Sequence, residues 1–93
     1  MFIGALQIEL IIPDSGSLKE KRMIVKSIKQ RLQNKFNVSV AEIDHQDLWQ
    51  RALLGIAMVA NEKRFLNEAL DKILTFVDDQ DRSQGIDHQI EIL

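Results

Sequence analysis

The segment around Asp44 concentrates side chains that are able to bind a metal ion. Asp44, His45 and Asp47 offer carboxylate oxygens and an imidazole nitrogen, the ligand atoms that many divalent metals accept. Three ligands within four residues do not converge easily from a tight turn, and the second histidine, His88, is distant in the sequence. We predict no metal site and no cofactor, and a metal held by these three residues remains the alternative.

The same residues raise the alternative of hydrolysis, with His45 as a general base oriented by Asp44 or Asp47. Such a reaction needs a nucleophile beside the base. The chain has no cysteine, however, and the nearest serine, Ser39, belongs to a predicted strand. We therefore predict no catalytic residue and no enzymatic activity.

A structural interpretation accounts for this segment more simply. Asp44 would cap a short helical turn, with Asp47 as the acidic partner three residues later. Leu48 and Trp49 would fold back over the end of the core, with the Trp49 ring at least half buried and its N–H hydrogen-bonded. We retain the segment as a secondary candidate surface, whose residues are Asp44, His45, Asp47, Trp49 and Arg51.

A second group of residues is basic. Seven of the twelve Lys and Arg residues lie between Lys19 and Lys35, where Glu20 is the only acid, although the whole chain has a formal net charge of −2. At about 100° per residue, four of them form one stripe on a helix. No acids at i,i+4 neutralise this stripe, so it favours an anionic partner such as a phosphate backbone, and a solvated helix face is the simpler alternative. The candidate nucleic-acid-binding residues are Lys19, Lys21, Arg22, Lys26 and Lys29, of which Lys21 lies near the apolar side.

The elements that position these residues begin with a strand and a helix. Apolar residues alternate from Gly4 to Ile12, which is typical of a half-buried strand. A turn from Pro13 to Gly16 follows. Ser17 and Glu20 then form the sequence pattern of a capping box, which predicts a helix from Leu18 to about Lys35.

The rest of the chain contains three more strands and a second helix. β-branched residues indicate a strand over 36–43, and an apolar run indicates another over 53–60. Asn61 is the predicted N-cap of a helix whose apolar stripe ends at Val77, and a polar loop over 78–85 leads to a strand over 86–93. The order βαββαβ predicts a ferredoxin-like α+β domain over residues 1–93, with a four-stranded antiparallel sheet and both helices on one face.

The first strand argues against stacking of RNA bases on the sheet. RNA-binding domains that use such a sheet carry aromatic side chains on the central strands, but this chain has no tyrosine. The partly apolar open face favours burial against a second copy instead, which predicts a homodimer through that face. The outward residues of the strand would be Ile3, Ala5, Gln7, Glu9 and Ile11.

The apolar start of the chain, up to Ile12, has no basic region and is interrupted by Glu9. It resembles no export signal and is too short to span a bilayer. Together with the absence of cysteine, this predicts a cytoplasmic protein without a membrane partner.

Several motifs in combination resemble the YlxP-like family, a bacterial domain of unknown function. They are Ser17-Leu18-Lys19-Glu20-Lys21-Arg22, Phe36-Asn37-Val38-Ser39-Val40-Ala41-Glu42, and Asp44, Trp49, Ala52 and Gly55. The resemblance runs in register from about Gly4 to Ala60. It implies a ferredoxin-like fold and a gene neighbourhood of translation and ribosome-maturation factors, but no activity and no catalytic residue.

These observations lead to a functional expectation. We expect a small cytoplasmic binding module that associates with RNA or a ribosomal particle through the basic first helix. The alternative is a homodimeric structural or regulatory module that binds a protein or small ligand and no RNA.

Overall fold

The computed structural model describes all 93 residues, which form two helices and four strands. The elements in chain order are β1 (Phe2–Ile11), α1 (Leu18–Lys35), β2 (Ser39–Asp44), β3 (Arg51–Ala60), α2 (Lys63–Asp78) and β4 (Gln84–Ile92).

The strands form one sheet in the order β2-β3-β1-β4, and every neighbouring pair is antiparallel. Leu6, Ile8 and Leu10 on β1 are buried in one cluster with apolar side chains from both helices. Successive residues of a strand point to opposite faces of a sheet, so both helices cover the same face. This arrangement confirms the predicted ferredoxin-like α+β fold.

The first helix begins as its sequence predicts. The Ser17 side chain accepts a hydrogen bond of 3.1 Å from the Glu20 backbone N–H, and a Glu20 carboxylate oxygen accepts one of 3.2 Å from the Gly16 N–H. These contacts satisfy N–H groups that the first turn leaves without a partner. The second helix differs from the prediction because Glu62, rather than Asn61, is its N-cap, and no side chain caps it.

Every strand differs from its predicted bounds by one to three residues at one end or both, and β4 begins at Gln84, inside the predicted polar loop. β2 begins at Ser39, because the preceding residues complete the end of α1: the Phe36 N–H donates to the Leu32 carbonyl over 2.8 Å. β3 begins earlier, at Arg51, where it pairs with Ile11 of β1.

Neither helix combines the length and the apolar character needed to cross a membrane.

Candidate functional site

One flank of α1 carries a row of positive charge. The side chains of Lys19, Arg22 and Lys26 are exposed, and that of Lys29 is partly exposed. None of the four forms an ion pair or a side-chain hydrogen bond within the protein. We refer to Lys19, Arg22, Lys26 and Lys29 as the basic stripe. It is a surface of uncompensated positive charge, which attracts anions.

The remaining basic residues of α1 have partners inside the molecule. The Arg31 guanidinium donates to the Gln80 side-chain oxygen over 2.9 Å. The Lys35 ammonium lies 5.0 Å from the centre of the Phe76 ring, a cation–π distance. These contacts tie α1 to α2 and the loop after it, so the basic stripe occupies the flank of α1 that faces away from that loop.

The structure contradicts the assignment of Lys21 to the nucleic-acid surface. Its side chain is fully buried at 0% exposure, so it does not reach a phosphate. Lys21 follows the helical repeat of the core residues Val25, Ile28 and Leu32, which turns its stem under the helix rather than outward. The basic stripe therefore has four members.

The Lys21 ammonium is the centre of a polar cluster below α1. Its Nζ donates to the carbonyl oxygens of His45 at 2.7 Å, Arg51 at 3.2 Å and Gln46 at 3.3 Å. It also lies 2.8 Å from a Glu42 carboxylate oxygen. Buried charge is costly unless it is paired and hydrogen-bonded, and Lys21 meets both conditions, whereas the buried Glu42 Oε2 has the ion pair but no hydrogen bond. Lys21 thus fastens α1 to the connection between β2 and β3.

The β2–β3 connection, residues 45–50, adopts a turn that this cluster helps to define. His45 has a positive φ of 67°, and its N–H donates to the Asp44 carboxylate over 2.7 Å. The Leu48 N–H donates to the His45 carbonyl over 3.0 Å. Asp44 is the last residue of β2, so the predicted helical turn with Asp44 as its cap is wrong.

Gln50 anchors the far end of the same connection. Its side-chain amide donates to the carbonyls of Pro13 at 3.1 Å and Ser15 at 3.3 Å, in the turn that precedes α1. The connection is therefore fixed at both ends by side chains that satisfy backbone carbonyls.

The tip of the connection is apolar and exposed, contrary to the prediction. Trp49 is 54% exposed, Leu48 is 44% exposed, and the Trp49 indole N–H has no hydrogen-bond partner in the protein. The Lys21 and Gln50 contacts hold the connection by its backbone, which leaves these two side chains directed outward. The predicted lid over the core is therefore wrong, and Trp49 belongs to the surface.

His45 and Arg51 converge on one carboxylate at the edge of the open sheet face. Glu9 lies 2.8 Å from the Arg51 guanidinium and 3.3 Å from the His45 Nε2. Neither Asp44 nor Asp47 orients this imidazole. No group of three or more His, Asp or Glu side chains is placed to hold a metal ion together.

Another ion pair lies where α1 begins. Glu20 pairs with Arg82, which follows α2. The Gly16 N–H and the Arg82 guanidinium both hydrogen-bond the Glu20 carboxylate, and they hold its pKa below the ordinary value of 4.5. The only acid within the basic segment is therefore occupied elsewhere and does not neutralise the basic stripe.

Sequence reasoning missed Glu42 and Glu9 as partners of the candidate residues. One signal was present, because Lys21 falls on the apolar side of the predicted helix, where a charge needs a buried counter-charge. Its partners on β2 and β3 are distant in sequence, and the choice of Glu42 required the fold.

The open sheet face carries apolar and polar side chains side by side. Val59 is 57% exposed and Ile43 is 44% exposed, while Ile3 and Ala5 are partly covered. The polar part of the face is the Glu9 cluster with Gln7, which is exposed.

A family model and a known protein each match most of the chain. A family model described as "Protein of unknown function (DUF503)" matches residues 3–90. The "Uncharacterized protein YlxP" of Bacillus subtilis (strain 168) is 50% identical over 76 residues, which cover 82% of this chain and 83% of that protein. Both findings support the YlxP-like resemblance that the motifs indicate.

Proposed function

Because the chain belongs to the DUF503 family, described only as proteins of unknown function, we propose from its own residues that it is a cytoplasmic RNA-binding module. In this proposal residues 1–93 act as one domain, and its ligand is RNA, free or within a ribosomal particle. The observation that carries the proposal is the basic stripe, four cations on one flank of α1 without an acidic partner.

The charge distribution supports a phosphate ligand. The formal net charge is −2, so the whole protein does not attract polyanions, whereas the basic stripe does so locally. On α2, by contrast, Arg64 pairs with Glu68 over 3.3 Å at the i,i+4 spacing. A row of cations along one helix suits successive phosphates, which are the main source of affinity in nucleic-acid binding. The gene neighbourhood implied by the YlxP-like resemblance favours RNA among polyanions.

The sheet does not take the role of a base-stacking platform in this proposal. The central strands expose no aromatic side chain on the open face, where β1 has Gln7 and Glu9 and β3 has Leu53, Ala57 and Val59. We therefore expect backbone contacts with little sequence preference.

The experiment that tests the proposal measures RNA affinity against salt. A protein that neutralises four phosphates shows log affinity falling with log salt at a slope of about −3.6 for a duplex and about −2.8 for a single strand. We expect Lys26→Gln with Lys29→Gln to reduce the slope by roughly two without changing the melting temperature. Fluorescence anisotropy with a labelled RNA over a salt series measures the slope, and thermal unfolding followed by circular dichroism measures the melting temperature.

The matched control removes the same charge from α2. Lys63→Gln with Arg64→Gln takes away two exposed cations, one of which is already paired with Glu68. We expect this variant to keep the slope of the unsubstituted protein. Absence of binding at low salt, or equal loss in both double variants, would show that the basic stripe is only a solvated helix face.

The second candidate is a homodimeric module packed through the open sheet face, without RNA binding. The exposed Val59 and Ile43 side chains favour it, because burial removes their apolar surface from water. The Glu9 ion cluster at one end of the face opposes it, since a dimer would have to desolvate those charges.

A further inference from the structure

The last strand is the least covered element of the molecule. Eight of the nine residues of β4 are exposed. Ile90 is paired opposite Leu6 and His88 opposite Ile8, so both lie on the face that the helices cover. Ile90 is nevertheless 42% exposed, and an open cleft of about 400 Å³ separates α2 from residues 85–88 of the same strand. Apolar surface thus remains at this edge of the sheet.

The outer edge of β4 also presents unpaired backbone groups. Ile3 and Leu93 exchange two hydrogen bonds of 2.8 Å, which fixes the phase of the β1–β4 ladder. In an antiparallel ladder every second residue bonds to the same neighbour, so Glu91, Gln89 and Asp87 face β1. The N–H and C=O groups of His88, Ile90 and Ile92 therefore point away from the sheet, toward a further strand.

This edge has little of the protection that natural sheets use. Lysine, proline and a short strand length commonly prevent pairing at a sheet edge. β4 contains no lysine and no proline, and it is nine residues long. The other edge strand, β2, is only six residues long and has a register shift at Glu42. Two guards are present on β4: a register shift beside Asp87, and the Asp87 carboxylate, which accepts a hydrogen bond of 2.9 Å from the His88 N–H.

We propose that β4 pairs with β4 of a second copy, antiparallel about a two-fold axis at Ile90. A register shift beside Asp87 interrupts the β1–β4 ladder, residues 87–93 pair with β1 without a further shift, and Ile90 is the centre of this regular stretch. Each Ile90 then faces Ile90 of the other copy, and each His88 faces Ile92. The interface is isologous, with the same segment used by both copies.

The charges of β4 select this register. With the axis at Ile90, each Glu91 faces Gln89 and each Asp87 faces Leu93, so no two acids are directly opposed. Moving the axis by one residue to Gln89 would set Asp87 against Glu91 twice, which like charges disfavour. On the helix side, the Ile90 and Ile92 side chains of both copies meet in one apolar strip.

The pairing leaves the basic stripe free. The sheet order is β2-β3-β1-β4, and the stripe lies on α1, which packs beside β2 at the opposite edge. A dimer would carry two stripes at its outer ends. The proposal concerns the protein alone, so its test without RNA is independent of the proposed RNA binding.

Sedimentation equilibrium of the full chain tests the pairing, with three variants that act on different surfaces. Ile90→Lys occurs twice in the dimer and should weaken dimerisation by at least about tenfold. Asp87→Ala removes the group that competes for the His88 N–H and should strengthen dimerisation. Val59→Lys changes the open sheet face and should have no effect.

Each result decides the proposal. The proposal is supported if Ile90→Lys weakens dimerisation, Asp87→Ala strengthens it and Val59→Lys leaves it unchanged. Circular dichroism must show that the three variants are folded. A monomer at high protein concentration overturns it. A dimer that dissociates with Val59→Lys but not with Ile90→Lys also overturns it and indicates pairing through the open face.

Discussion

Replacing Lys21 by methionine should destabilise the protein although Lys21 is one charge among twelve basic residues. Methionine preserves most of the buried stem but removes the ammonium, so the change isolates the polar contacts. The Glu42 carboxylate then loses its cation, and the carbonyls of His45, Gln46 and Arg51 lose a donor. Removing one partner of a buried ion pair typically costs about 3–5 kcal/mol.

The structure places the expected cost near the lower limit of that range. The Glu42 side chain is 17% exposed through atoms other than the buried Oε2 that faces Lys21, so water still solvates part of the carboxylate after the ammonium is lost. We therefore expect a loss of about 3 kcal/mol in the free energy of unfolding, a large part of the 5–15 kcal/mol typical of a domain. At about 4–8 °C per kcal/mol for a domain of this size, the melting temperature should fall by about 12–24 °C.

Urea unfolding followed by circular dichroism measures this cost, with two comparisons that make it interpretable. Lys19→Met removes an exposed lysine from the same helix and should change stability by no more than about 0.5 kcal/mol. Adding Glu42→Gln to Lys21→Met removes the unpaired buried charge and should recover part of the loss. If Lys21→Met and Lys19→Met cost equally little, the buried pair does not form in solution and the reasoning is refuted.

Two further predictions concern Trp49 and Glu20. Trp49→Ala should lower the free energy of unfolding by less than about 1 kcal/mol, because the ring is 54% exposed, and a loss above about 2 kcal/mol in urea unfolding would show that it packs against the core. The lowered pKa of Glu20 means that the folded state binds fewer protons than the unfolded one, so its stabilisation is complete above the ordinary pKa of 4.5 and is lost as pH falls through the folded value. The melting temperatures of the unsubstituted protein and of Glu20→Gln should therefore differ most near neutral pH and converge in acid, and a constant difference would contradict this linkage.

The sequence by itself determined the local elements. Ser17 and Glu20 lie three residues apart and cap the same turn, so the start of α1 at Leu18 followed from nearest-neighbour chemistry. The alternation along β1 likewise fixed which of its residues are buried, because side-chain direction in a strand has period two. The order of these elements then left few topologies, and the ferredoxin-like arrangement was among them.

Tertiary structure decided which polar residues are buried and which partners they contact. Lys21 and Lys19 are both lysines of one basic segment, yet one is buried and the other exposed, because the carbonyls that receive Lys21 come from residues 24 to 30 positions away in the chain. The same contacts hold the β2–β3 connection by its backbone and leave Trp49 outside, where its aromatic character alone predicted burial. Helical periodicity reports the direction of a side chain, whereas its partner is set by long-range packing that no local pattern contains.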